Sequence, residues 1–153
     1  MENYEVKVRA SFARQQMMKT LGAELSAVGR GATEIRFPFA ESLSQQHGYL
    51  HAGAVTSILD SACGYAALTV APQGSEVLSV EFKVNLLSPA NGDSFLARAN
   101  VKRAGRTLAV CAADAFAVTS EGERLIATML ATMIYVRDDR QDMVREQEKP
   151  GAS

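Results

Sequence analysis

Cysteine, proline and aromatic residues are scarce: the 153 residues include two cysteines, four prolines, no tryptophan and only 7% aromatics. Cys63 and Cys111 lie far apart, with no Cys-x-x-Cys pair and no recurring histidine spacing, so neither a disulfide framework nor a zinc site is expected. A reducing compartment follows as the expectation. Neither sign of charge dominates, because 16 basic side chains face 17 acidic ones, and no basic field marks a nucleic-acid binder. Long apolar runs are missing too. The opening MENYEVKVRA lacks the apolar centre of a signal peptide, and no stretch reaches bilayer-spanning length. The expected setting is therefore the cytoplasm, away from membranes.

What remains is an ordinary globular composition, 47% apolar and 22% charged. At this length it supports one core. No internal repeat or low-complexity tract appears. A single domain is expected over residues 1–136, and residues 137–153, with nine charges and few apolar anchors, are expected to form a fraying tail.

From Ser11 to Leu25, Phe12, Met17, Met18, Leu21 and Leu25 recur at helical spacing, which predicts an amphipathic N-terminal helix ending near Gly22. Ile35, Phe37 and Phe39 alternate with polar residues until Pro38 limits pairing, and this reads as a short edge strand. From His51 to Val70 an apolar stripe runs through a segment in which ten of 20 residues are Ala, Gly, Ser or Cys. A helix this thin suits burial inside a curved sheet. Strict alternation then begins in Ser79–Leu87, with Val80, Phe82, Val84 and Leu86 set against Ser79, Glu81, Lys83 and Asn85. Turn chemistry at Ser88–Asp93 predicts an antiparallel return through Ser94–Arg103. Ala104-Gly105 and Ser120–Glu123 predict two more reversals, into Thr107–Val118 and Arg124–Val136. One helix followed by long antiparallel strands is an α+β arrangement whose concave sheet face grips the helix.

Asp60 stands out within that helix. A carboxylate directly after Ile58 and Leu59 is at least partly buried unless it occupies an exposed face or a cap, and burial raises a carboxyl pKa unless donors compensate. His51 lies nine residues earlier, about 13.5 Å of helical rise and roughly 180° of rotation away. The two cannot meet within one chain. A common site requires a second subunit whose helix runs antiparallel beside the first. The helix start offers unpaired N–H groups and the positive end of the macrodipole, which suits a carbonyl oxygen gaining charge in acyl transfer. Ala52 and Gly53 are the candidate donors, with His51 at the cap in an orienting or purely structural role. His47 and His51 have the separation of a helical metal pair, but Gly48 intervenes and no third ligand is near, so no metal is expected. No Gly-x-Ser-x-Gly elbow, P-loop or dinucleotide fingerprint is present. Met17, Met18, Met129 and Met133 read as core filler. Arg98, Lys102, Arg103 and Arg106 read as a solvated rim or as phosphate ligands.

Gln45, His51-Ala52-Gly53 and Asp60 also have a familiar spacing. The stretch from about Gln45 to Val136 resembles the hotdog-fold acyl-CoA thioesterases of the PaaI-like and 4-hydroxybenzoyl-CoA thioesterase type. Their pattern is an Asn or Gln, a His-Gly-Gly six residues on, and an Asp or Glu nine residues after that His. The segment Leu78–Ala90 and Arg103-Ala104-Gly105-Arg106-Thr107 are similar to later family segments. The resemblance implies a hotdog fold, an antiparallel β-sheet wrapped around a central helix, here with an extra N-terminal helix. It implies hydrolysis of an acyl-CoA, with Asp60 as general base or as nucleophile forming a mixed anhydride. The Ala52 N–H, standing where the family has a glycine, would be the oxyanion donor. Gln45 would orient the thioester or water, and Ser79 would assist the water. Arg103 and Arg106 would contact the phosphates of coenzyme A, which is part of the substrate, and no cofactor is required. Asp60 and Ser79 would face the other protomer of an obligate homodimer, assembled further as a homotetramer. A hotdog module that binds acyl-CoA without turnover, and a hotdog hydratase or dehydratase, are the alternatives.

Overall fold

The computed structural model describes residues 3–137. Of the expected charged tail, only Arg137 falls within them. The chain opens with α1 (Tyr4–Arg14) and α2 (Gln16–Leu21), then β1 (Glu24–Gly29) and β2 (Ala32–Pro38). After one 3₁₀ turn (Glu41–Leu43) come α3 (Ala52–Leu68), β3 (Ser75–Leu86), β4 (Ser94–Ala104), β5 (Leu108–Thr119) and β6 (Gly122–Arg137). All six strands form one antiparallel sheet in the order β1-β2-β4-β5-β6-β3.

The helix at the centre is α3, packed against β2, β4, β5, β6 and β3. Its small side chains let the sheet close around it: Ala62, Cys63, Ala66 and Ala67 have no exposed surface, nor do Ile58 and Leu59. Across from them the inward residues of β5 and β6 are again small or flexible, including Ala109, Cys111, Ala113, Ala131 and Met133. Bulges of the kind that curl a sheet around a core element lie at Val80 in β3, between Ser79 and Glu81, at Lys102 in β4, between Val101 and Arg103, and at Ile126 in β6, opposite Ala115 and Phe116. Both cysteines are free and buried.

Three expectations are corrected. The N-terminal helix begins earlier, at Tyr4, because Asn3 caps it by accepting the Glu5 N–H at 3.0 Å. It breaks at an extended Gln15, and α2 ends on Gly22 in the left-handed conformation (φ 65°), so Leu25 belongs to β1. The β2 strand is not an edge: it lies between β1 and β4, and Pro38 is tolerated because it is the last residue of the strand. Finally, Ser88–Asp93 does not close a hairpin. That segment carries the chain from β3, at the far edge beside β6, to β4 in the middle of the sheet. The other two reversals are hairpins, β4–β5 closed by Gly105 N–H donating to Leu108 O at 2.7 Å, and β5–β6 turning through Gly122 (φ 114°).

Candidate active site

The first half of the site is the start of α3. His51 is its N-cap, extended at φ −64° and ψ 137°, and its Nδ1 accepts the Gly53 N–H at 2.8 Å. An accepting Nδ1 places the proton of the neutral ring on Nε2. Glycine at 53 is required by this cap, since a Cβ there would lie 2.9 Å from Nδ1. Of the two backbone donors named from the sequence, Gly53 is therefore committed to the cap. Ala54 N–H is turned back to His51 O at 3.0 Å, whereas Ala52 N–H has no acceptor among the described residues. Ala52 lines an open cleft of about 530 Å³, together with Gln45, His51, Tyr49, Leu86 and Leu87. Gln45 is fixed by its own turn, its N–H donating to Tyr49 O at 2.8 Å and its Oε1 accepting from His47 N–H in a short contact. That leaves its side-chain NH₂ as a donor at the cleft.

The second half is the middle of α3. Asp60 is half-buried and faces β3, where Ser79 Oγ donates to Asp60 Oδ1 at 2.6 Å. Ser79 is the last residue before the β3 bulge, which keeps its hydroxyl on the helix side while the edge continues outward. In one protomer the two halves stay separate, as the helical spacing requires. The structure brings Asp60 and Ser79 together, and Gln45, His51 and Ala52 together, but does not join the two groups.

Arg103 and Arg106 are exposed around the β4–β5 turn. This end of the sheet is tied to the C-terminal end of α3: Val101 N–H donates to Gly31 O at 2.8 Å, and Gly31 N–H to Thr69 Oγ1 at 2.6 Å. The 17-residue helix is about 25 Å long, so both arginines are remote from Ala52 of their own protomer. His47 is exposed, and among the described residues no three His, Cys, Asp or Glu side chains gather as metal ligands. Burial pushes the Cys63 thiol far above its ordinary value and the Cys111 thiol up to about 11, so neither is a thiolate near neutral pH. Leu86, Leu87 and Tyr49 carried no signal in the sequence as site residues. Leu86 and Leu87 reach the cleft at the β3–β4 crossing, which only the tertiary fold reveals.

Residues 47–123 match the family model described as the thioesterase superfamily. The chain belongs to that superfamily. The matched span contains His51, Ala52, Asp60, Ser79, Arg103 and Arg106, with Gln45 just outside it. The chain is 51% identical to a thioesterase family protein from Silicibacter pomeroyi, whose structure superposes with a TM-score of 0.86 over 88% of this chain and 98% of that one. The PaaI protein from the phenylacetic acid degradation operon of Escherichia coli shares the fold at 19% identity, with a TM-score of 0.78 over 88% of this chain and 94% of that one. A thioesterase from Haemophilus influenzae does so at 23% identity, with a TM-score of 0.73 over 84% and 87%. This thioesterase-superfamily member thus has the hotdog fold of the PaaI-like proteins, and its activity is that of a thioester hydrolase.

Proposed function

We propose that this protein is an acyl-CoA thioesterase whose active site is completed by two copies of the chain. The observation that carries the reading is the pairing of Asp60 with Ser79 on one stretch of α3 and, on another, an Ala52 N–H with no acceptor among the described residues. Nine residues of helix separate Asp60 from the cap, so antiparallel packing of two α3 helices sets Asp60 of one copy opposite Ala52 of the other. Asp60 takes the proton of a water that attacks the thioester carbonyl, or attacks it directly to give a mixed anhydride that water then cleaves. The carbonyl oxygen gains charge at the Ala52 N–H, where the helix dipole adds to the hydrogen bond. Collapse breaks the C–S bond and releases the coenzyme A thiolate, which takes a proton. Ser79 orients Asp60 or the water, and Gln45 presents its NH₂ to the thioester or water. His51 and Gly53 hold the helix start in shape. The reaction needs no cofactor.

The edge of β3 supports the dimer. Among the described residues its backbone is unpaired on one side, and Val80, Phe82 (42% exposed) and Leu86 (56% exposed) leave apolar surface there, a combination that invites strand pairing with a second copy. Leu78, Leu108 and Leu130 are also exposed and offer apolar surface through which dimers assemble as a tetramer. Arg103 and Arg106 supply cations for the phosphates of coenzyme A. No helix is long and apolar enough to cross a membrane among the described residues, and we place the activity in the cytoplasm.

Thiol release across a panel of acyl-CoAs tests the reading, and because both cysteines are buried the protein's own thiols are expected to add no background. Asp60→Asn keeps the shape but removes the base or nucleophile, so kcat/KM is expected to fall by at least about 10²–10⁴-fold. Wild-type turnover by that variant overturns the mechanism. A hydroxyacyl-CoA formed from an enoyl-CoA, without thiol, means hydration instead. Light scattering on Phe82→Asp is expected to show loss of the dimer together with loss of turnover; a fully active monomer refutes the shared site.

A further inference from the structure

Beside Asp60 lies a second, smaller cavity, of about 130 Å³, that no feature of the family spacing anticipates. Its wall comes from the N-terminal helices. Gln15, the extended residue at the α1–α2 break, lies across α3, and both ends of its side-chain amide are 3.3 Å from Ser61 Oγ. Two contacts hold this wall in place: the Phe12 ring meets Tyr65 of α3 edge-on at 5.6 Å, and Lys7 Nζ donates to Ser75 O at the start of β3. Gly64, one helical turn beyond Asp60, forms part of the lining. A Cβ there would meet nothing within 4 Å, so the missing side chain is what leaves the space open. Glu76 and Ser79 complete the β3 side.

A thioester has two ends with different needs. The coenzyme A arm is long and must reach solvent, which suits the wide cleft at the start of α3. The acyl group need only fit. A cavity of about 150 Å³ holds a benzene ring, so the chamber next to Asp60 takes an acyl group of about six non-hydrogen atoms. Its lining is mostly polar: Gln15, Ser61, Glu76 and Ser79. Gln15 and Ser61 hold each other only through long 3.3 Å contacts, so hydrocarbon filling the chamber would take water from their remaining donors and acceptors and from the Glu76 carboxylate. Resting on the thioesterase reading, we propose that the cavity walled by Gln15 and opened by Gly64 is the acyl-end subsite, and that it selects a short acyl group bearing a hydroxyl.

The test compares kcat/KM for acetyl-, butyryl-, 3-hydroxybutyryl- and decanoyl-CoA. Wild type is expected to favour 3-hydroxybutyryl- over butyryl- and decanoyl-CoA by about tenfold or more, because a site built to hydrogen-bond a hydroxyl rejects the analogue lacking it. Gly64→Leu fills the chamber and should lower the 3-hydroxybutyryl to acetyl ratio by about tenfold or more. Gly64→Ala should lower it by less, and it remains informative if the larger variant does not fold. Gln15→Leu should abolish the preference for the hydroxyl. Decanoyl-CoA as the best substrate overturns the inference, as do ratios unchanged in both the Gly64 and Gln15 variants. If hydrolysis then still depends on Asp60, only the subsite has failed; hydrolysis of no acyl-CoA at all overturns the thioesterase reading with it.

Discussion

Ser79 Oγ and Asp60 Oδ1 lie 2.6 Å apart, joining the middle of α3 to the exposed edge strand β3. The serine hydroxyl donates to the carboxylate, so the bond holds the Asp60 rotamer. A hydrogen bond to a charged group contributes about 1.5–3 kcal/mol, which converts to a fall of about 10–100-fold in kcat/KM for Ser79→Ala. Ser79→Thr keeps the hydroxyl and should recover most of that loss. Steady-state kinetics on the two variants decide the matter: equal damage in both would mean that packing, not the hydroxyl, matters at this position.

The cap at the start of α3 makes a separable prediction. His51 Nδ1 accepts the Gly53 N–H, and removing that acceptor in His51→Ala should cost about 1 kcal/mol of stability. For a chain of this size that is a fall of about 2–4 °C in Tm. His51→Asn supplies another good N-cap and should restore the melting temperature. Gly53→Ala should lower stability and turnover together, because its Cβ would stand 2.9 Å from Nδ1 and displace the ring. Thermal melts that do not distinguish His51→Ala from His51→Asn would reject the capping role.

The central helix and the four long strands are legible in the sequence because each has a clean period: a stripe of small apolar residues in α3 and strict alternation in β3. The first strand is not. Glu24–Gly29 reads ELSAVG, without alternation, because an edge strand against a helix buries little on either face. The break at Gln15 has no glycine or proline to announce it, and the contact that accompanies it, with Ser61, is 46 residues away. Strand partners are hidden for the same reason. A turn-rich Ser88–Asp93 looks local, whereas β3 pairs with β6 across the whole length of β4 and β5. At the site, the spacing of His51 and Asp60 already forbids a one-chain arrangement. Which amide remains free after capping could be read only once the His51 ring was placed against Gly53.

The charged network on β2 predicts how stability responds to acid. Glu34 accepts from Arg36 at 2.8 Å, Ser26 at 2.8 Å and Arg98 at 2.7 Å, and Arg98 also reaches Glu123 at 2.6 Å. Burial alone would raise the Glu34 pKa, but these donors together outweigh it and hold the carboxyl below its ordinary 4.5. A pKa lowered on folding gives stability that is present above the unfolded value and lost as the pH falls through the folded one. Glu34→Gln should therefore destabilise the protein by about 1 kcal/mol at pH 7 in low salt, a modest figure because the arginine partners are largely solvated. The gap should narrow as the pH falls from 4.5 through the lowered folded value. Urea melts of both proteins at pH 7 and pH 3.5 measure it; a gap that persists unchanged at the lower pH would show that shape rather than charge is responsible.

Arg124, near the start of β6, organises the wall of the wide cleft from a distance. Its guanidinium donates to Ser88 Oγ, to Asn91 O at 3.0 Å and to Pro89 O at 3.3 Å, spanning the crossing from β3 to β4. Ser88, Pro89 and Ala90 line the cleft beside Leu86 and Leu87, so the arginine fixes a surface that it does not itself form. Arg124→Ala should free that segment and raise KM for an acyl-CoA by about three- to tenfold, the equivalent of about 1 kcal/mol or one ordinary hydrogen bond, with a smaller change in kcat. Lysine cannot replace it, because a single ammonium does not reproduce the fork that holds three acceptors at once. Arg124→Lys should therefore resemble Arg124→Ala in KM. Kinetics in which lysine restores the wild-type KM would show that positive charge near the cleft, rather than the fixed shape of the crossing, governs binding there.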